Sequence, residues 1–100
     1  MKWRYQPVFT VQNGETVFSV IEVHVQPDGT LWAWTESTAM TPYGETVEEL
    51  AGDLAHMLAD AWKWKPVAYE SLRTGMTFDR TGIDVEAMIA AMNAARGAHA

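Results

Sequence analysis

The dipeptide Asn13-Gly14, set between two runs rich in β-branched and aromatic residues, constrains this chain more than any other feature. A two-residue type I′ turn needs positive φ at both central positions, and Asn-Gly is a pair that supplies it readily. The flanking segments are therefore expected to pair as a β-hairpin. In segment 2–12, Trp3, Tyr5, Phe9 and Val11 point one way, while Lys2, Arg4, Gln6, Thr10 and Gln12 point the other. That period of two marks a half-buried strand. Pro7 has no N–H to donate, which puts this strand at an edge or its proline on an unpaired side. In segment 16–26, Val17, Ile21, Val23 and Val25 share one face, and Phe18, Val20, Glu22, His24 and Gln26 share the other. Pro27-Asp28-Gly29 makes a second tight turn. Segment 30–37 reads as a third strand, with Trp32, Trp34 and Glu36 opposite Leu31, Ala33 and Thr35. This three-stranded antiparallel meander would carry apolar surface on both sides, and one helix covers only one of them.

Residues 37–45 read as a loop. Thr46-Val47-Glu48-Glu49 fits a capping box, with Thr46 as N-cap and Glu49 reaching back to its amide. Val47, Leu50, Ala51, Leu54, Leu58, Ala61 and Trp62 then recur three or four apart, the stripe of an amphipathic helix. Acids in its first turns and Lys63 and Lys65 at its end suit the helix dipole, and Pro66 stops it. Gly52 inside the helix suggests a close contact with the sheet. Residues 66–72 read as a short strand or a short extended segment, 73–82 as a loop, and Val85, Met88, Ile89, Met92 and Ala95 as the stripe of a C-terminal helix over 84–96. The fold class is α+β. Residues 1–72 form the main unit, and 73–100 belong either to the same domain or to a dimer interface.

A chain of 100 residues with 48% apolar and 20% charged residues makes one globular domain. Without cysteine there are no disulfides, thiolate metal sites or thiol nucleophiles, which fits a reducing cytoplasm. No apolar run reaches the ~20 residues of a membrane span, and Met1-Lys2-Trp3-Arg4-Tyr5 lacks the core of a signal peptide. A soluble cytoplasmic protein is expected.

Chemistry at a site is hard to find. His24, His56 and His99 lack the spacing of zinc ligands, so neither a metal nor another cofactor is expected. Ser19, Ser37 and Ser71 have no nucleophile-elbow context. Glu48 and Glu49 are adjacent on a helix, face different directions and are accounted for by capping. The sequence reads as a non-enzyme.

Charge is more informative. The net charge is −6, and no Lys or Arg lies between Arg4 and Lys63, where Glu15, Glu22, Asp28, Glu36, Glu45, Glu48, Glu49, Asp53 and Asp60 all fall. A field of one sign repels phosphates and attracts a basic protein. Direct nucleic-acid binding is not expected.

Three strands followed by Gly44-Glu45-Thr46-Val47-Glu48-Glu49-Leu50 resemble the N-terminal domain of HicB-type antitoxins. The Pro27-Asp28-Gly29 turn is similar too, and the segment from Glu22 to Glu36 looks like an uncharacterised bacterial branch of that superfamily. The resemblance covers roughly residues 3–66. Antitoxins of this type carry a DNA-binding segment after the domain, whereas residues 67–100 offer one short helix with little basic charge. What the resemblance implies is therefore partner binding and dimer formation. The expected function is an acidic module that binds and neutralises a basic, toxin-type protein through Glu36, Glu45, Glu48, Glu49, Asp53 and Asp60. The alternative is a phage or mobile-element inhibitor of anti-CRISPR type, whose acids imitate nucleic-acid phosphates. Phe18, Val20, Trp32, Trp34, Met88 and Met92 are the residues expected at a homodimer or partner interface.

Overall fold

A computed structural model describes residues 1–36, 41–82, 86, 87, 90, 91, 93 and 94. Strand β1 (Lys2–Gln12) and strand β2 (Glu15–Val25) form the expected hairpin, with Asn13 at φ 52° and Gly14 at φ 80°. The two-residue turn fixes the register from Gln12 opposite Glu15 to Lys2 opposite Val25. Strand β3 (Leu31–Trp34) pairs antiparallel with β2, and the meander is as expected up to this point. A fourth strand, β4 (Val67–Ala68), lies parallel to β1 at Val8 and Phe9. The sheet is thus four-stranded and mixed, in the order β3-β2-β1-β4, and not a three-stranded antiparallel sheet. Two residues are too few to show a period of two, so the sequence of 66–72 could not decide between a strand and an extended segment or name β1 as its partner.

The register also settles which faces share a side, since residues directly opposite one another project together. Gln6 faces Ile21 and Arg4 faces Val23, so the polar row of β1 lies on the apolar row of β2. That side is the core. Val8, Ile21, Val23 and Leu31 are fully buried there, with Val25, Trp34, Val67, Tyr69, Leu72, Met76 and Phe78 packed against them. Gln6, expected outward, is fully buried. Its Nε2 donates to the Pro7 and Lys65 carbonyls, both at 3.0 Å, and its Oε1 accepts from Arg4 at 2.8 Å, which satisfies the amide. Arg4 lies over the Trp64 ring at 3.4 Å and near Phe78 at 5.0 Å. Burial lowers its pKa to about 10, against the favourable charge of Asp60.

The lid over this core is the chain after the helix, not the helix itself. Leu31 N–H donates to the Met76 carbonyl and Gly75 N–H to the Leu31 carbonyl, both at 2.8 Å. Lys65 N–H donates to the Asp79 carbonyl at 2.8 Å. Residues 73–80 are therefore built into the same domain. Of the helix expected over 84–96, residues 86, 87, 90, 91, 93 and 94 have helical backbone, while Met88 and Met92 lie outside the described residues.

Helix α1 (Val47–Lys63) starts as its capping box dictates. Thr46 Oγ1 accepts from Glu49 N–H at 3.1 Å, and Glu49 Oε2 accepts from Glu45 N–H at 2.8 Å, one residue earlier than the expected amide. Gly44 is fixed by a close approach: a Cβ there would run into the backbone of Glu49 and Leu50.

The face that α1 turns inward is not its apolar stripe. Its buried residues are Met57 and Asp60, while Val47 is 77% exposed and Leu54 47%. A Cβ at Gly52 would meet nothing within 4 Å, so the expected sheet contact at that glycine is not there. The reason lies in β1. Tyr5 draws the polar stripe inward, donating its hydroxyl to Asp53 Oδ1 and its N–H to Asp60 Oδ2 (3.0 Å). Its ring also meets His56 at 5.0 Å between centroids.

Candidate interaction surfaces

Because β1 pairs Tyr5 with Glu22 and Trp3 with His24, the side of the sheet opposite the core carries a polar and aromatic junction with α1. The rings of Trp3, Tyr5 and His56 meet one another edge to face or tilted, with centroids 5.0–5.3 Å apart. His56 Nε2 lies 3.0 Å from Asp60 Oδ2, and His24 Nε2 lies 3.2 Å from Glu22 Oε1. Among the described residues no group of three or more His, Cys, Asp or Glu is arranged to hold a metal ion.

This junction divides the six acids expected on the partner surface. Asp60 is 8% exposed and employed in holding β1, so it offers nothing to a partner. Asp53 is half-buried, and its carboxylate accepts from the Tyr5 hydroxyl and from Tyr43 N–H at 2.9 Å. Glu36, Glu45, Glu48 and Glu49 are exposed as expected. Among the described residues, the ion pairs within 4 Å are the two histidine–carboxylate pairs alone, so none of these four has a Lys or Arg beside it.

The Tyr5–Asp53 bond has a measurable signature. Asp53 is held below the usual carboxylate range, first by the Tyr5 hydroxyl and then by Tyr43 N–H. A carboxylate lowered in the folded state stabilises it fully above the unfolded value of about 3.9, and that contribution disappears as pH falls through the lower folded value. Tyr5 is pushed up by burial first and by the Asp53 bond second. Its contribution is complete below the unfolded value of about 10 and declines as pH rises beyond it. Tyr5→Phe is therefore expected to flatten both limbs of a plot of urea midpoint against pH. Unchanged limbs would show that the pair does not couple folding to protonation.

The expected interface residues separate as well. His24 pairs with Ala33 and Val25 with Leu31, which leaves Trp32 as the additional residue of a bulge. The alternation of β3 breaks there. Trp34 consequently lies opposite Val23 and packs against the core, whereas Trp32 is exposed, so the two tryptophans do not form one aromatic platform.

Phe18 (64% exposed) and Val20 stand on the α1 side of the sheet. Together with Pro7, Ala61, Trp62 and Pro66 they line an open apolar groove of about 430 Å³. At Trp62 the groove runs into the exposed stripe of α1, where Leu50 and Leu54 lie. The sequence reading missed this continuity because it assigned the helix stripe to covering the sheet. The signal that could have found it is the two-residue turn, which sets Tyr5 against Glu22 and so brings polar groups to the helix side.

No family model matches the chain, and no curated protein or solved structure matches it either.

Proposed function

We propose that this protein is a small acidic protein-interaction module that binds a basic protein, of the toxin type, and neutralises it. The observation that carries the reading is the exposed set Glu36, Glu45, Glu48 and Glu49, none of which has a described Lys or Arg within ion-pair distance. Uncompensated charge of one sign speeds the approach of an oppositely charged partner and excludes like-charged ones. The HicB-like order of strands, glycine, capped helix and paired acids supports the same reading, as does a composition suited to the cytoplasm. On this reading the module acts by occupation and not by catalysis. No described helix is long and apolar enough to cross a membrane.

The test is affinity capture from the native host at low salt, with bound proteins identified by mass spectrometry. A small basic protein is the expected catch. Reversal of Glu36, Glu45 and Glu48 to lysine should then weaken its binding by at least about tenfold. Binding that ignores the reversal would refute the acidic surface. If the catch is a nucleic-acid-binding protein that oligonucleotides displace, the module instead mimics phosphates, as a phage or mobile-element inhibitor would.

A further inference from the structure

Helix α1 has two faces, and the sheet uses the polar one. The other carries Leu54 and Leu58 along its centre, Val47 and Leu50 toward its start, and Ala61 and Trp62 toward its end. It is flanked by Ala51 and Ala55, whose short side chains let a second helix come close. Seventeen residues give this face a length of about 25 Å. The groove at Phe18 and Val20 widens it beyond the helix at the Trp62 end. Contiguous apolar surface of this extent marks an interface.

We propose that a second copy of this chain covers that face, with the two α1 helices packed antiparallel about a two-fold axis. The charges along the helix select both the occupant and its direction. Glu45, Glu48 and Glu49 stand at its start, and Lys63 and Lys65 at and just beyond its end. Antiparallel packing sets each acidic start against the partner copy's basic end twice over, and opposes the helix dipoles. Parallel packing would set acid against acid. On this proposal the dimer expected across Trp32 and Trp34 lies at α1 instead, and among the described residues Phe18 and Val20 carry over from its expected contacts.

This inference is independent of a basic partner, because it concerns the isolated chain. The two engagements share Glu45 and Glu48, so a bound basic protein and a second copy compete for the helix start.

The test is sedimentation equilibrium on the full chain over a concentration series. Wild type should reach the dimer mass, and Leu54→Glu should remain monomeric with an unchanged circular dichroism spectrum, since Leu54 lies outside the core. Two charge variants fix the direction. E45K/E48K alone sets lysine against lysine, and K63E/K65E alone sets glutamate against glutamate, so each should be monomeric. Mixed in equal amounts they should recover the dimer mass. A wild type that stays monomeric at its solubility limit overturns the proposal. So does a Leu54→Glu protein that still dimerises, or charge variants that dimerise separately as well as wild type does.

Discussion

Asp60→Ala is expected to lower the unfolding free energy by about 3 kcal/mol, read from urea denaturation at neutral pH. The size follows from three groups that depend on one buried carboxylate. Tyr5 N–H, on the outer edge of β1, has its bond to Asp60 Oδ2. His56 has its 3.0 Å contact. Arg4, disfavoured by burial, has Asp60 as the charge that favours its ionised form. Alanine removes all three at once and leaves an amide and a cation poorly satisfied in a dry region. Asp60→Asn separates the contributions, because it keeps an oxygen for Tyr5 while losing the charge, and should cost roughly half as much. Equal losses in the two variants would mean that the charge, not the amide bond, dominates.

Ile21→Ala should cost about 3–4 kcal/mol, close to the upper part of the range for buried aliphatic truncations. Ile21 is fully buried at the centre of β2, between Val8, Val23 and Leu31. Its cross-strand neighbour, Gln6, is held by three hydrogen bonds and cannot swing in to fill the space. A domain of this size has only about 5–15 kcal/mol in total, so the variant should melt well below wild type in a thermal scan. The comparison that checks the argument is Phe18→Ala. Phe18 has a larger side chain but is mostly exposed, and should change the melting temperature far less than Ile21→Ala does.

What was legible in the sequence was local. Asn13-Gly14 dictated a hairpin, Thr46 and Glu49 dictated a helix start, and Pro66 dictated its end, because each acts through backbone geometry within a few residues. What was not legible depended on which side of an element meets which other. The alternation of β1 was real, but its polar row faces the core, since burial is decided by Ile21 and Val23 across the hairpin. The α1 stripe was equally real, but Tyr5, through Asp53 and Asp60, outweighed it. Glu36, Glu45, Glu48 and Glu49 were correctly placed at the surface; Asp53 and Asp60 were not, because a carboxylate reads the same whether it faces water or holds an edge amide. β4 was legible only as a short strand or extended chain over 66–72, for a third reason. A two-residue strand is defined by its neighbour, not by its own pattern.

The sheet margins carry one more consequence. At the β3 side, Leu31 gives both its N–H and its carbonyl to residues 75 and 76. At the β1 side, Val8 and Phe9 are taken by β4, and Tyr5 N–H by Asp60. These outward-pointing amides and carbonyls would otherwise template the addition of a foreign strand, the route by which sheets grow into fibrils. With those positions occupied, a protein that leaves so much greasy surface in water can stick to another through side chains rather than by extending its ladder. A two-fold contact of the kind proposed at α1 closes on itself, so crowding should then yield discrete particles and not amyloid.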